Sequence, residues 1–121
     1  MAGIADPAAD IAVAEVCDPF TGAELQSLEA LGLAPEGEAG SAAVDGAFDA
    51  DGALPVNLSG GLLGQGGAPG ATGIAQAVTM ERLLTGRHHR APASAPRRGL
   101  IDVHGGVCTL AAVHVLERIA A

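Results

Sequence analysis

Two residues near the end of this 121-residue chain have the types and spacing to move a proton. His104 stands two positions after Asp102, and imidazole titrates close to neutrality, so a carboxylate beside it would orient it as a general base. A hydrogen-bonded structural histidine satisfies the same pattern, and both readings stand. Cys17, just ahead of Asp18-Pro19, is a second reactive type. It reads as a nucleophile or hydrogen-bonding group, or else as a buried, unreactive thiol. Cys108 reads as packed within a strand, and two cysteines make no disulfide framework. His88 and His89 have no cysteine or carboxylate at zinc-ligand spacing, so the pattern contains no metal site and the pair reads as exposed.

The other chemical feature is a loop. Of the eighteen residues 56–73, seven are glycine, and a helical pattern follows from Ile74. A glycine loop that opens a helix aims backbone N–H groups and the positive end of the helix dipole at one point. An anion, or a group that becomes anionic, fits there; a plain turn accounts for the glycines as well.

These groups must be positioned by regular elements. Asp6-Pro7-Ala8-Ala9-Asp10 reads as a turn after a tail that continues something earlier, and β-branched residues alternating over 11–17 predict a strand broken by Asp18-Pro19. Thr21 as N-cap with Glu24 three residues on is a capping-box pattern, and Phe20 can staple onto Leu25. The helix should cover 22–31, with Leu25, Leu28 and Leu31 on one face and Gly32 as its left-handed stop. Residues 34–55 form a long Glu/Gly/Asp/Ala excursion, with turns at Asp45-Gly46 and Asp51-Gly52 bracketing a small hairpin anchored by Phe48. The apolar helix 70–84 should be buried on most sides and end at Gly86. An exposed Arg/Pro/Ala loop over 88–98 leads to strands 99–104 and 107–116. The second is apolar enough for a central strand, although 111–119 also fits a helical face.

Composition narrows the partners. With 49% hydrophobic residues and positive mean hydropathy, the chain has one domain's worth of material and can bury a core. Phe20 and Phe48 are its only aromatics, so that core is built from Ala, Val, Leu and Ile, which suits tightly layered helices and sheets. A net charge of −8 argues against a nucleic-acid or anionic-membrane binder. All six cations are Arg from Arg82 onward, and eleven of fourteen acids lie at or before Asp51. The basic cluster at Arg87-His88-His89-Arg90 and Arg97-Arg98 reads as a solvated loop, or as a landing surface for a phosphorylated ligand such as a coenzyme. Without a signal peptide or a spanning apolar run, the expectation is a soluble cytoplasmic protein.

In order and spacing, four segments resemble the C-terminal domain of thiolase-like acyl-CoA acyltransferases, in the branch of sterol carrier protein X-type thiolases and acetyl-CoA acetyltransferases. They are Glu15-Val16-Cys17-Asp18-Pro19-Phe20-Thr21, Leu54-Pro55-Val56-Asn57-Leu58-Ser59-Gly60-Gly61, Gly70-Ala71-Thr72-Gly73 and His104-Gly105-Gly106. The resemblance covers about residues 10–118. It implies an α/β fold, one of two similar halves, each a layered mixed sheet with helices on its faces. It implies a coenzyme A thioester as substrate and no bound cofactor. In such enzymes a cysteine in the N-terminal half takes the acyl group, and the C-terminal half supplies an oxyanion hole and a second acid/base.

On this chain the resemblance places catalytic roles on His104, Asp102 and Cys17. It places substrate binding on Asn57, Ser59, Gly60, Gly61, Gly67, Gly70, Gly73, Gly105 and Gly106. Residues 1–121 would then be a partial thiolase-like C-terminal domain that lacks its N-terminal half and is inactive alone. Its expected partners are acyl-CoA and, in a homo- or hetero-oligomer, a thiolase-like N-terminal half or an OB-fold protein.

Departures from the pattern are informative. Gly67 stands where the family has the histidine that holds the thioester oxygen, and a lost oxyanion donor costs about 10²–10³ in rate. Cys17 stands where Asn, His or Tyr is usual, Pro19 where a small residue is common, and Asp102-Val103 where the branch often has His-Asn. Three functions follow: an acyl-CoA thiolase domain, a thiolase-like retro-aldolase acting on steroid side-chain CoA esters beside an OB-fold partner, or a non-catalytic association fragment. The empty position at Gly67 favours the last two, and the retained glycine framework favours the first two.

Overall fold

A computed structural model of the chain describes residues 3–106 and 109–119. It is a mixed α/β fold built on one three-stranded sheet, β1 (Val13–Glu15), β2 (Arg98–Gly105) and β3 (Leu110–Glu117), in the order β1-β2-β3. β1 runs parallel to β2, with Glu15 opposite Ile101, and β2 runs antiparallel to β3, with His104 opposite Ala111. Val56 adds an isolated parallel bridge to Ala14. Five helices lie among the described residues: α1 (Pro7–Asp10), α2 (Thr21–Ala30), α3 (Ala39–Val44), α4 (Gly61–Gln65) and α5 (Thr72–Leu84). No helix among the described residues is long and apolar enough to cross a membrane.

Alternation along the strands divides the core in two. Ala14, Val16 and Leu100 point to one side, where Leu28 of α2 and Ala39 of α3 close over them. Val13 and Ile101 point to the other, against Met80, Leu83 and Leu84 of α5. Adjacent residues of β1 and β2 are therefore buried on opposite faces, which is why both strands read as continuous apolar runs. Each fully buried Leu contributes about 1.5–3 kcal/mol relative to exposure.

Several sequence expectations change in detail. The strand expected over 11–17 pairs only over Val13–Glu15, because the Val16 N–H donates to Asn57 Oδ1 at 2.9 Å instead of to a neighbouring strand. The turn at 6–10 closes as the one-turn α1, with Asp6 as its N-cap. α2 starts one residue early: Phe20 is the N-cap, Thr21 lies inside the helix and makes no capping bond. Glu24 is drawn away to accept from Asn57 Nδ2 at 3.0 Å. Phe20 is 74% exposed, so no hydrophobic staple forms. Gly32 does stop the helix, at φ +69°, and Leu25 and Leu31 flank buried Leu28 against the core.

The excursion over 34–55 contains α3 rather than a hairpin, and Phe48 does pack against the α2-side core. α5 opens at Thr72, two residues later than expected, and is not buried on most sides: Ile74 is 68% and Val78 45% exposed. β2, not the final strand, is central. β3 is an edge strand, extended rather than helical, with Leu110 and Val113 exposed. The expected start of that strand at Val107 and Cys108 lies outside the described residues. The loop before β2 is tied down by charge: Arg97 and Arg98 pair with Glu117 at 2.7 and 3.3 Å, and Arg98 approaches Asp10 at 3.8 Å. Arg87 pairs with Glu81. Three of the arginines of the expected landing surface are therefore engaged locally.

Candidate functional site

The loop that follows Val56 is assembled around buried carboxyl groups. Asn57 has φ +52°, a left-handed conformation that Asn tolerates better than most residues. From there its amide reaches both ways, accepting from Val16 N and donating to Glu24. Ser59 donates twice to Glu15, from its N–H at 3.0 Å and from its hydroxyl at 2.5 Å. Asp18, 3% exposed, accepts the Leu62 N–H through Oδ1 at 2.6 Å. Gly61 has φ +61°, and a Cβ there would collide with the Asp18 carboxylate. Burial pushes the Glu15 carboxyl above the ordinary range, the Ser59 hydrogen bonds oppose that, and negative Asp18 adds to it. Glu24 is pushed up by burial and then by Asp18. Asn57, Ser59, Gly60 and Gly61 thus form one hydrogen-bonded corner at the C-terminal end of β1.

The second component is the end of β2. Asp102 is 1% exposed and faces the α2 side of the sheet with His104, whose side chain is 21% exposed. Asp102 Oδ2 lies 3.1 Å from His104 Nε2. The ring N–H is not aligned with that oxygen, which makes no hydrogen bond among the described residues, so the contact becomes an ion pair only when the imidazole is protonated. His104 Nδ1 is also buried without a hydrogen-bond partner among the described residues. A cleft of about 220 Å³ adjoins the pair on the α2 side, walled by Ser27, Leu31 and Val113.

His104 also borders a cleft of about 290 Å³ on the other side, with Ala68, Pro69, Gly70, Thr72, Gly73 and Val103. The glycine loop and the histidine, thirty-one positions apart from Gly73, therefore meet at the N-terminus of α5, where the helix dipole favours negative charge. Thr72 Oγ1 accepts the Ala68 N–H at 3.1 Å and shapes the turn. Gly73 has no side chain because α5 packs closely on Val103: a Cβ would sit 3.4 Å from Cγ1 of that valine.

The structure brings His104, Asp102, Gly70 and Gly73 together, and Asn57, Ser59, Gly60 and Gly61 together in the carboxyl-lined corner. Gly105 ends β2 and Gly106 turns at φ +63°. Gly67 is exposed and lies outside the residues lining the cleft beside His104. Cys17 is 5% exposed, two residues after the end of β1. Sequence reasoning passed over Glu15 and Gln76, read Asp18 only as a strand breaker and read Glu24 only as a capping residue. The available signal was a polar residue within an otherwise apolar run: Glu15 inside a buried strand, and Gln76 between apolar turns of α5.

Residues 1–118 match the family model described as thiolase C-terminal domain-like. The chain belongs to that family. It is 39% identical over 109 residues to the acetyl-CoA acetyltransferase of Methanothermobacter thermautotrophicus, a match that covers 90% of this chain and 28% of that protein. It is 42% identical over 74 residues to the 17-hydroxy-3-oxo-4-pregnene-20-carboxyl-CoA lyase of Mycobacterium tuberculosis, covering 61% of this chain and 19% of that protein. Among solved structures, the Ltp2-ChsH2(DUF35) aldolase superposes with a TM-score of 0.74 at 31% identity, covering 89% of this chain and 27% of its counterpart. The chain thus spans between a fifth and about a quarter of the length of these relatives.

Proposed function

We propose that this thiolase C-terminal domain-like chain serves as the C-terminal part of an enzyme that cleaves a carbon–carbon bond in a coenzyme A thioester by retro-aldol chemistry. One observation carries the reading. His104, which Asp102 approaches at 3.1 Å, borders the cleft on the α2 side and also the cleft at the head of α5, where the helix N-terminus lies. Gly67, in the preceding turn, has no side chain to offer a thioester oxygen.

Thiolysis needs an acyl-accepting cysteine, which in the resembled enzymes lies in the N-terminal half. Retro-aldol cleavage needs only a base and a place for negative charge. His104 takes the proton of a β-hydroxyl group, and the bond between the β- and α-carbons breaks as the carbonyl forms. The electron pair passes to the α-carbon and thioester oxygen, where the backbone N–H groups of the glycine turn and the α5 dipole stabilise the enolate. A proton returned to the α-carbon completes a ketone or aldehyde and a shortened acyl-CoA. The likeness to an aldolase and to a carboxyl-CoA lyase supports a steroid side-chain CoA ester as substrate. The remaining three quarters of the fold, including an N-terminal half, would come from outside these residues, and some proteins of the branch the chain resembles work beside an OB-fold protein.

The match over 90% of the chain to an acetyl-CoA acetyltransferase favours a second reading, in which an N-terminal half supplies the nucleophile for acyl transfer. The two separate in one experiment. The complete protein is given a tertiary β-hydroxyacyl-CoA and, separately, acetoacetyl-CoA with free coenzyme A. Retro-aldol cleavage of the first, reduced about 10²–10⁴-fold by His104→Ala, is the expected result. Thiolysis of the second at a comparable rate, or an unimpaired His104→Ala variant, would overturn the proposal.

A further inference from the structure

α5 sends one polar side chain into the sheet. Gln76 is 4% exposed on a helix face whose other buried residues, Met80, Leu83 and Leu84, are apolar. Its Nε2 donates to the Asp102 carbonyl at 2.9 Å and approaches the Glu15 carbonyl at 3.4 Å. Those two carbonyls belong to neighbouring strands at the point where their pairing stops: Glu15 opposite Ile101 is the last registered pair of β1 and β2. Gln76 Oε1 makes no hydrogen bond among the described residues. A buried amide with one end unsatisfied is a poor stabiliser, since burying polar atoms without partners is unfavourable. Stability alone favours an apolar residue of similar length at this position.

We infer that Gln76 is a positioning residue that clamps the end of β2 to the end of β1. The Asp102 peptide leads through Val103 into His104, and the Glu15 peptide leads into the corner that holds Asn57 and Ser59. One turn earlier on the same helix, Gly73 lines the cleft beside His104. The amide therefore sets the distance between the two strand ends that carry the candidate site. The functional weight of this clamp rests on the reading of His104 and Asp102 as the proton-transfer pair.

Amide hydrogen exchange of the 121-residue chain tests the clamp without requiring activity. In Gln76→Met, which keeps length and removes the donor, protection at residues 16, 103 and 104 falls about tenfold, while residues 98–101 and α5 change by less than about twofold. A uniform loss across β2, or no loss, would overturn the inference. Should the Met variant fail to fold, Gln76→Glu provides the same test. Its neutral carboxyl donates one bond at low pH, and its carboxylate repels both carbonyls when it ionises. Protection corrected for intrinsic exchange then falls on ionisation at residues 16, 103 and 104; a pH-independent or uniform change refutes the clamp. In the complete enzyme, Gln76→Met lowers kcat with little change in KM. If the exchange result holds while His104→Ala is fully active, the clamp stands and the proton-transfer reading falls.

Discussion

Gly61→Ala adds one carbon at the point where the corner loop meets a buried carboxylate, and its cost can be worked from the structure. The backbone there has φ +61°, and an alanine in the left-handed region costs about 1–2 kcal/mol. The new Cβ also collides with the Asp18 side chain, which cannot move without lengthening its 2.6 Å bond from Leu62 N. Losing a hydrogen bond to a charged group costs about 1.5–3 kcal/mol. The sum, about 2.5–5 kcal/mol, is a large part of the roughly 5–15 kcal/mol that holds a typical domain folded. Gly64→Ala is the control: it lies in α4, and nothing comes within 4 Å of the place its methyl group would occupy, so it should be neutral or stabilising by about 0.5–1 kcal/mol. Urea unfolding followed by far-ultraviolet circular dichroism suits a chain with no Trp or Tyr. Because the strain runs through Asp18, the double variant Gly61→Ala/Asp18→Ala should lose less than the sum of the single losses. A loss below about 1 kcal/mol for Gly61→Ala, or strict additivity in the double variant, would refute the reasoning.

Stability should also depend on pH through buried Glu15 and half-buried Glu24. Glu15 and Glu24 are pushed up by burial, so the folded chain holds their protons more tightly than the unfolded chain. Their contribution is full below the ordinary glutamate range and is lost as pH rises through their raised folded values. Glu15→Gln should therefore flatten the fall in Tm on the alkaline side of that range; parallel wild-type and variant curves would contradict it. Asp10 and Glu117 are lowered, the first by backbone hydrogen bonds and the second by Arg97 and Arg98, so they act in the opposite sense at more acidic pH. The α5 side of the sheet makes a separate prediction. A groove of about 600 Å³ lined by Ile74, Ala77, Val78, Ile101 and Leu116 leaves apolar surface open, and the isolated chain should self-associate. Sedimentation should show Ile74→Lys/Val78→Lys shifting it toward monomer, and a monomeric wild type would count against this.

Local sequence determined the elements whose signals are contained in a few neighbouring residues. Leu25, Leu28 and Leu31 with Gly32 specify α2 and its end, because spacing and a left-handed stop require no distant partner. The four family segments likewise identified the fold, and with it the layered sheet that no window of this chain describes. Long-range competition was not legible. Thr21 and Glu24 spell a capping box, yet Asn57, thirty-three positions away from Glu24, takes that carboxylate and also ends β1 by capturing Val16 N. The apolar final strand reads as central, but its place is set by which strands pair, and it lies at the edge. The candidate site divides in the same way. His104 and Asp102 were visible from type and spacing, and the glycines from their density. Glu15, Asp18 and Gln76 acquired their roles only when the chain brought backbone donors and acceptors from other segments against them, since hydrogen bonds to a buried group depend on where the chain returns and not on what stands beside it in sequence.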